Sequence, residues 1–162
     1  MILQYFFKKE NKQKIIANNI YKNILVQSNI FIKENNFFKH KNYATSFEIV
    51  SFILIIYINI NIARKIKNFK IINEELINLF ILDLDESLRS KGIGDMSIGK
   101  YVKTYVKKFY FRLSKFPRDI SDSNSNTFNK YLSYLEYIEE KNKSKTSEIF
   151  FKLYKQISSN YK

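Results

Sequence analysis

Clustered carboxylates are the first residues in this sequence whose types and spacing suggest chemistry. Asp83, Asp85 and Glu86 lie within four positions of one another, as the ligands of a metal site can. On a helix, however, Asp83 and Asp85 point to different faces, and Asp85 lies four residues before Arg89, the spacing of an ordinary ion pair. We therefore favour the ion pair over metal-dependent hydrolysis through Asp83, Asp85 and Asp95.

A second segment, residues 94–100 with the sequence GDMSIGK, has the GxxxxGK spacing of a phosphate-binding P-loop. A P-loop needs a preceding strand and a Ser or Thr after the lysine, whose hydroxyl binds Mg²⁺. Tyr101 occupies that position, and a helical pattern precedes the segment. The sequence therefore does not predict nucleotide binding.

Cysteine and histidine, the usual nucleophiles and metal ligands, are almost absent. The chain has no Cys and a single histidine, His40. This composition excludes disulfides, thiolate metal sites, cysteine nucleophiles, and a multi-histidine site or Ser-His-Asp triad within one chain. We expect His40 to be a surface residue, and the sequence predicts neither an enzyme nor a bound cofactor.

The strong positive charge is the main compositional pointer to a partner. Lys and Arg number 28 against 15 Asp and Glu, a formal net charge of +13. Such a charge favours an anionic partner such as RNA, a ribosome or an anionic membrane face. Ile, Asn, Lys, Tyr and Phe share AT-rich codons, so genome composition alone is the competing explanation.

The elements that would carry these residues are helices. Hydrophobic residues make up 45% of the 162, and the chain contains one Pro and three Gly. This balance predicts one all-α domain, a helical bundle of about six helices, over residues 13–160. Residues 1–12 are expected to be a flexible N-terminus, since their apolar run is too short for a signal peptide.

Helical spacing of apolar residues places the individual helices. They are predicted at residues 13–27, from Thr45 or Ser46 to 65, 73–90 with Asn73 as cap, from Asp95 or Ser97 to just before Pro117, 127–141, and 147–158. An irregular connector packed by its aromatics is expected at residues 29–43, and a polar linker at 121–126. No internal repeat is evident.

The second helix has an apolar core at residues 49–63, uncharged over 15 positions. A membrane-spanning helix needs about 20 predominantly apolar residues, and this core contains Ser51, Asn59 and Asn61. A buried central helix is therefore the favoured interpretation. A membrane segment and a strand are the alternatives.

Residues 82–114, which we call the signature segment, combine an acidic helix end, all three glycines and a basic helix. Gly92 stands where a left-handed glycine would end the third helix. The fourth helix is predicted to have a broad basic side, either simply solvated or a docking surface for an anionic partner. That side contains Lys100, Lys103, Lys107, Lys108, Arg112 and Lys115.

The signature segment resembles the ubiquinol–cytochrome c chaperone family. Its sequence is similar to the family string (M/L)DxSLRexGxGDxxxGKxxKxxxxxFYxRL. The matching positions are Leu84, Asp85, Ser87, Leu88, Arg89, Gly92, Gly94, Asp95, Gly99, Lys100, Lys103, Phe109, Tyr110, Arg112 and Leu113. Residues 20–28 and 47–57 are similar to the first helix and the buried apolar helix of the family. Residues 29–46 lack the expected Gly and Pro pattern.

The resemblance implies a non-catalytic assembly factor for the cytochrome bc1 complex (complex III), without a cofactor or a small-molecule substrate. Its client would be newly made cytochrome b or another hydrophobic subunit, and a second assembly factor, a ribosome or an anionic membrane surface are further partners. The expected location is the bacterial cytoplasm at the inner membrane, or the matrix side if organellar. The hypothesised partner-binding residues are Asp85, Arg89, Gly92, Ile93, Gly94, Asp95, Gly99, Lys100, Lys103, Lys107, Lys108 and Arg112. An RNA- or ribosome-binding module without a respiratory role is the alternative.

Overall fold

The computed structural model describes residues 12–118, 120, 125–135, 138 and 143–161. Over these residues the chain is a single all-α domain with six α-helices, as predicted. The helices are α1 (Lys12–Glu34), α2 (Tyr43–Ala63), α3 (Phe69–Ser90), α4 (Asp95–Lys115), α5 (Asn129–Leu132) and α6 (Lys143–Asn160), with a 3-10 turn at Ser125–Phe128 before α5. The described residues contain no strand, only an isolated bridge between Phe38 and Ile138.

Helix α2 is the centre of the bundle. Its five consecutive residues from Phe52 to Ile56 are all 0% exposed, which requires neighbours on every side because successive residues of a helix point in different directions. By length and composition α2 is also able to span a membrane, with a mean hydropathy of 1.9, but 78% of that apolar window is buried within the fold. The prediction of a buried central helix is confirmed.

The other long helices surround α2 in an order that sets the position of α4. Helices α1 and α3 run in the same direction, because Lys14 lies 3.8 Å from Glu75 and Tyr21 donates a hydrogen bond to Asp83. Helix α4 follows α3 as an antiparallel hairpin and packs against α3 and α2. Since α4 has these two neighbours, much of its outer side remains exposed.

The start of α3 differs from the prediction. Asn73 was predicted to cap the helix, but α3 begins one turn earlier, at Phe69. Asn73 is instead buried against α2, where the side-chain amide of Asn61 donates to its oxygen at 2.7 Å. Tyr161 donates to the other side of Asn61, also at 2.7 Å. The buried amide of Asn61 in α2 therefore has partners within the bundle.

The start of α2 and the connector before it also differ in detail. Asn42, and neither Thr45 nor Ser46, is the N-cap, because its side-chain oxygen accepts from the backbone N–H of Thr45 at 3.1 Å. Helix α1 continues to Glu34, so the connector is shorter than the predicted 29–43. Aromatic packing of the connector is confirmed by Phe37, and His40 is exposed as predicted.

Among the described residues of the C-terminal third, residues 133–135 are not helical, contrary to the prediction, and α6 is longer than predicted. Only the 3-10 turn and the single turn of α5 occupy the start of the predicted helix 127–141, and the chain turns at Ser133. Helix α6 begins at Lys143, before the predicted start at Ser147. Most of the predicted linker 121–126, and residues 1–11, lie outside the described residues.

Candidate functional site

The turn between α3 and α4 is built on one glycine. Gly92 has a φ of 86°, which places it in the left-handed region that suits glycine. Its N–H donates to the carbonyl of Arg89 at 2.9 Å, and the N–H of Ile93 donates to that of Leu88 at 3.3 Å. These two bonds form a Schellman motif, the ordinary way for a glycine to end a helix. The predicted role of Gly92 is confirmed.

An ion cluster holds the two helices together across this turn. The Nε of Arg89 lies 2.5 Å from a carboxylate oxygen of Asp85, so the predicted ion pair is confirmed. The same guanidinium also binds Asp95, the first residue of α4. Hydrogen bonds to Asp85 and then Asp95 raise the pKa of Arg89. The signature segment thus brings together three of the predicted residues, Asp85, Arg89 and Asp95.

The carboxylates do not converge as metal ligands. Tyr21 donates a hydrogen bond to Asp83 at 2.9 Å, and Arg89 forms ion pairs with both Asp85 and Asp95. Burial, with the nearby charge of Asp83, raises the pKa of Tyr21. Within the described ranges there is no group of three or more Asp, Glu, His or Cys residues able to hold a metal ion. The segment resembling a P-loop follows helix α3, so it lacks the strand that a P-loop needs.

The basic side of α4 is mostly exposed. Lys100, Lys103, Lys107 and Lys115 are exposed, and Lys108 is half-buried. None of them forms an ion pair with any other residue that the structure describes. These side chains are therefore available to an external partner.

Arg112 does not belong to this exposed basic side, and its prediction as a partner-binding residue there is corrected by its burial. Its Nε and one Nη bind the two carboxylate oxygens of Glu48 at 2.9 and 2.8 Å. The two side chains are 5% and 4% exposed. This bidentate ion pair joins α4 to the central helix α2, where an arginine can lie inside only because a carboxylate meets it.

Sequence reasoning missed Glu48. Its only signal was its place as the one charged residue at the start of the apolar helix, in the run SFEIVSFIL. An ionised carboxylate without a partner at such a position would be costly, so the position of Glu48 favours a nearby cation. Which of 28 Lys and Arg residues it was could not be read from spacing, because Glu48 and Arg112 are 64 positions apart.

The remaining predicted residues lie at or near the turn. Gly94 precedes α4 and Gly99 is in its first turns, and both are exposed; an added Cβ at either would meet nothing within 4 Å. Ile93 is half-buried. The fully exposed apolar side chain at the turn is that of Met96, which the prediction did not include.

Comparison with known proteins supports the resemblance. A family model described as Ubiquinol-cytochrome C chaperone matches residues 40–133. The match runs from before α2 to the end of α5, so it contains both members of the Glu48–Arg112 pair and the whole signature segment. No curated protein and no solved structure matches the chain. Because the match covers more than half of the 162 residues, the chain belongs to the ubiquinol-cytochrome C chaperone family.

Proposed function

We propose that the protein is an assembly factor for the cytochrome bc1 complex and that it binds newly made cytochrome b or another hydrophobic subunit. The observation that carries the proposal is the family match over residues 40–133, which includes every predicted partner-binding residue. In this role residues 13–160 act as one chaperone domain. The protein binds its client without catalysing a reaction and works at the membrane where bc1 subunits are inserted, with a second assembly factor as a further partner.

The client surface that we propose lies around the α3–α4 turn. A chaperone for a membrane subunit needs exposed apolar groups, and Met96 and Leu82 are the two most exposed large hydrophobic residues described. Leu82 precedes Asp85 by three residues and Arg89 by seven, so the three share the outward face of α3. Two exposed apolar side chains thus accompany the ion cluster that fixes the turn, and we propose that they contact the client.

Gene deletion followed by complementation tests the proposal. Deletion should lower the amount of assembled bc1 complex and the haem absorbance of cytochrome b, and the wild-type gene should restore both. Normal levels of both without the gene would reject the proposed function.

A surface variant then locates the client contact. The double variant Leu82→Ser/Met96→Ser should restore bc1 assembly poorly although it folds. Val26→Ser/Ile30→Ser is the matched control, because both residues are exposed and apolar but lie on α1. Equal complementation by the two double variants would place the client elsewhere. Salt-sensitive binding to bulk RNA, without any cytochrome b interaction, would favour the alternative of an RNA- or ribosome-binding module.

A further inference from the structure

One line of exposed side chains runs along the outer side of α4. Met96 is followed by three lysines and then Phe111 at steps of four, three, four and four residues, which on an α-helix fall on one side. The outer stripe comprises Met96, Lys100, Lys103, Lys107 and Phe111. All five are exposed, and the stripe spans about 22 Å at 1.5 Å per residue. Cations thus lie in its middle and an apolar side chain at each end.

The charge of the outer stripe is not balanced from within α4. Residues 96–118 contain seven Lys and Arg and no Asp or Glu. Neighbouring α3 is acidic, with five carboxylates against two cations. Among the described residues, however, its carboxylates pair with Arg89 of the same helix and Lys14 of α1, and with no lysine of the stripe. The bundle therefore has carboxylates nearby but leaves this face positive.

We propose that the outer stripe binds an anionic lipid surface, with α4 lying flat on the membrane. The lysines would meet the lipid phosphates, each strengthening binding about five-fold. Met96 and Phe111 would leave water by entering the boundary between headgroups and acyl chains, where apolar side chains of surface helices are buried. The exposed ring of Tyr110 flanks the stripe on the same helix and suits the headgroup level.

The apolar ends of the outer stripe are what favours lipid over RNA. A nucleic-acid backbone offers the lysines phosphates as well, but binding to it is dominated by charge and would leave Met96 in water. Lipid satisfies both kinds of side chain at once. The inference goes beyond the proposed function. Met96 belongs to both surfaces, but Leu82 belongs only to the proposed client surface and the three lysines only to the outer stripe, so complementation by a Leu82 variant and vesicle binding by the lysine variant can fail separately.

Sedimentation of the full chain with phosphatidylcholine vesicles, with and without phosphatidylserine, tests the lysines. The triple variant Lys100→Gln/Lys103→Gln/Lys107→Gln should bind the anionic vesicles about 100-fold more weakly. The control Lys22→Gln/Lys39→Gln/Lys152→Gln removes the same charge from exposed sites outside α4 and should lose far less. Equal losses for the two triples would mean that only net charge matters and would overturn the proposal.

A fluorescent reporter tests whether the stripe enters the lipid. The chain has no Trp, so Met96→Trp gives a single tryptophan at one end of the stripe. Its emission should shift to shorter wavelength on anionic vesicles, whereas Val26→Trp, at an exposed position of α1, should not shift. An unshifted Met96→Trp emission would overturn the proposal that the stripe binds lipid. Displacement of the protein from vesicles by bulk RNA at equal phosphate concentration would overturn it in favour of RNA.

Discussion

Two arginines of the signature segment, Arg89 and Arg112, both bind carboxylates, but they do so in opposite environments. Arg89 lies at the exposed end of the hairpin and joins α3 to Asp95 across the turn. Arg112 lies near the other end of α4 and is buried against Glu48 of the central helix. Charge pairs are weak in water and hard to break when buried, so the same residue type has different consequences at the two ends.

The difference separates two reasons for a residue to belong to the family pattern. Both arginines match the string by which the family was recognised, yet only Arg89 is accessible to a partner. Arg112 fixes how α4 sits on α2 and so determines which side of α4 faces outward. A matched motif residue is therefore not in itself a contact residue.

Breaking the buried pair should have the largest effect. Glu48→Ala removes the carboxylate that the buried guanidinium of Arg112 binds, and breaking a buried ion pair in this way typically costs about 3–5 kcal/mol of the free energy of unfolding. Urea unfolding measures this loss of stability. The double variant Glu48→Leu/Arg112→Met removes both charges and should recover most of the loss. A loss below about 1 kcal/mol in the single variant would remove the contrast between the two arginines.

The glycine turn at the exposed end should give the next largest effect. Gly92→Ala forces an L side chain into the left-handed region and should cost about 1–2 kcal/mol. Gly99→Ala, within α4, should instead stabilise by up to about 1 kcal/mol, because glycine is a poor helix former. No heavy atom lies within 4 Å of an added Cβ at either position. Opposite shifts of the two thermal midpoints would therefore come from backbone conformation and not from steric contact. Shifts of the same sign would contradict it.

A third variant tests the surroundings of the buried pair. The hydroxyl of Tyr131 is buried and has no hydrogen-bond partner among the described residues, and burial raises its pKa. Tyr131→Phe should therefore stabilise the protein by about 1 kcal/mol, since an unsatisfied group is removed. Tyr21→Phe, which loses the bond to Asp83, should destabilise in the same urea assay. Destabilisation by Tyr131→Phe would show that its hydroxyl has a partner.

The smallest effect is expected at the exposed arginine. Arg89→Gln removes an ion cluster in contact with water, so the unfolding midpoint should fall only slightly at low salt. At about 1 M salt, where charges are screened over about 3 Å, the difference from wild type should vanish. A loss as large as that of Glu48→Ala, or one insensitive to salt, would show that the two ends of α4 are equivalent.

Helices α1, α3, α4 and α6 were predictable because each repeats apolar residues at helical spacing, and α2 because its apolar run is too long for a strand. Gly92 was predictable because few residues tolerate its conformation. The cap of α2 was not, since Asn42, Thr45 and Ser46 are all good caps within one turn and tertiary contacts decide among them. Arg112 was misplaced because it borders the apolar side of α4, where position on the helix does not distinguish inside from outside. Only the partner, distant in sequence, makes that distinction.

The apolar character of the central helix matters for the nascent chain. While α2 emerges from a ribosome and α3 is not yet made, its apolar run is a stretch that the machinery for membrane insertion could select. Glu48 counteracts this selection, because a carboxylate is costly in lipid, and the buried amide of Asn61 finds its partners only in later residues, Asn73 and Tyr161. The polar residues that tie the bundle together also bias the chain, during synthesis, towards folding on itself and away from the bilayer in which its proposed client resides.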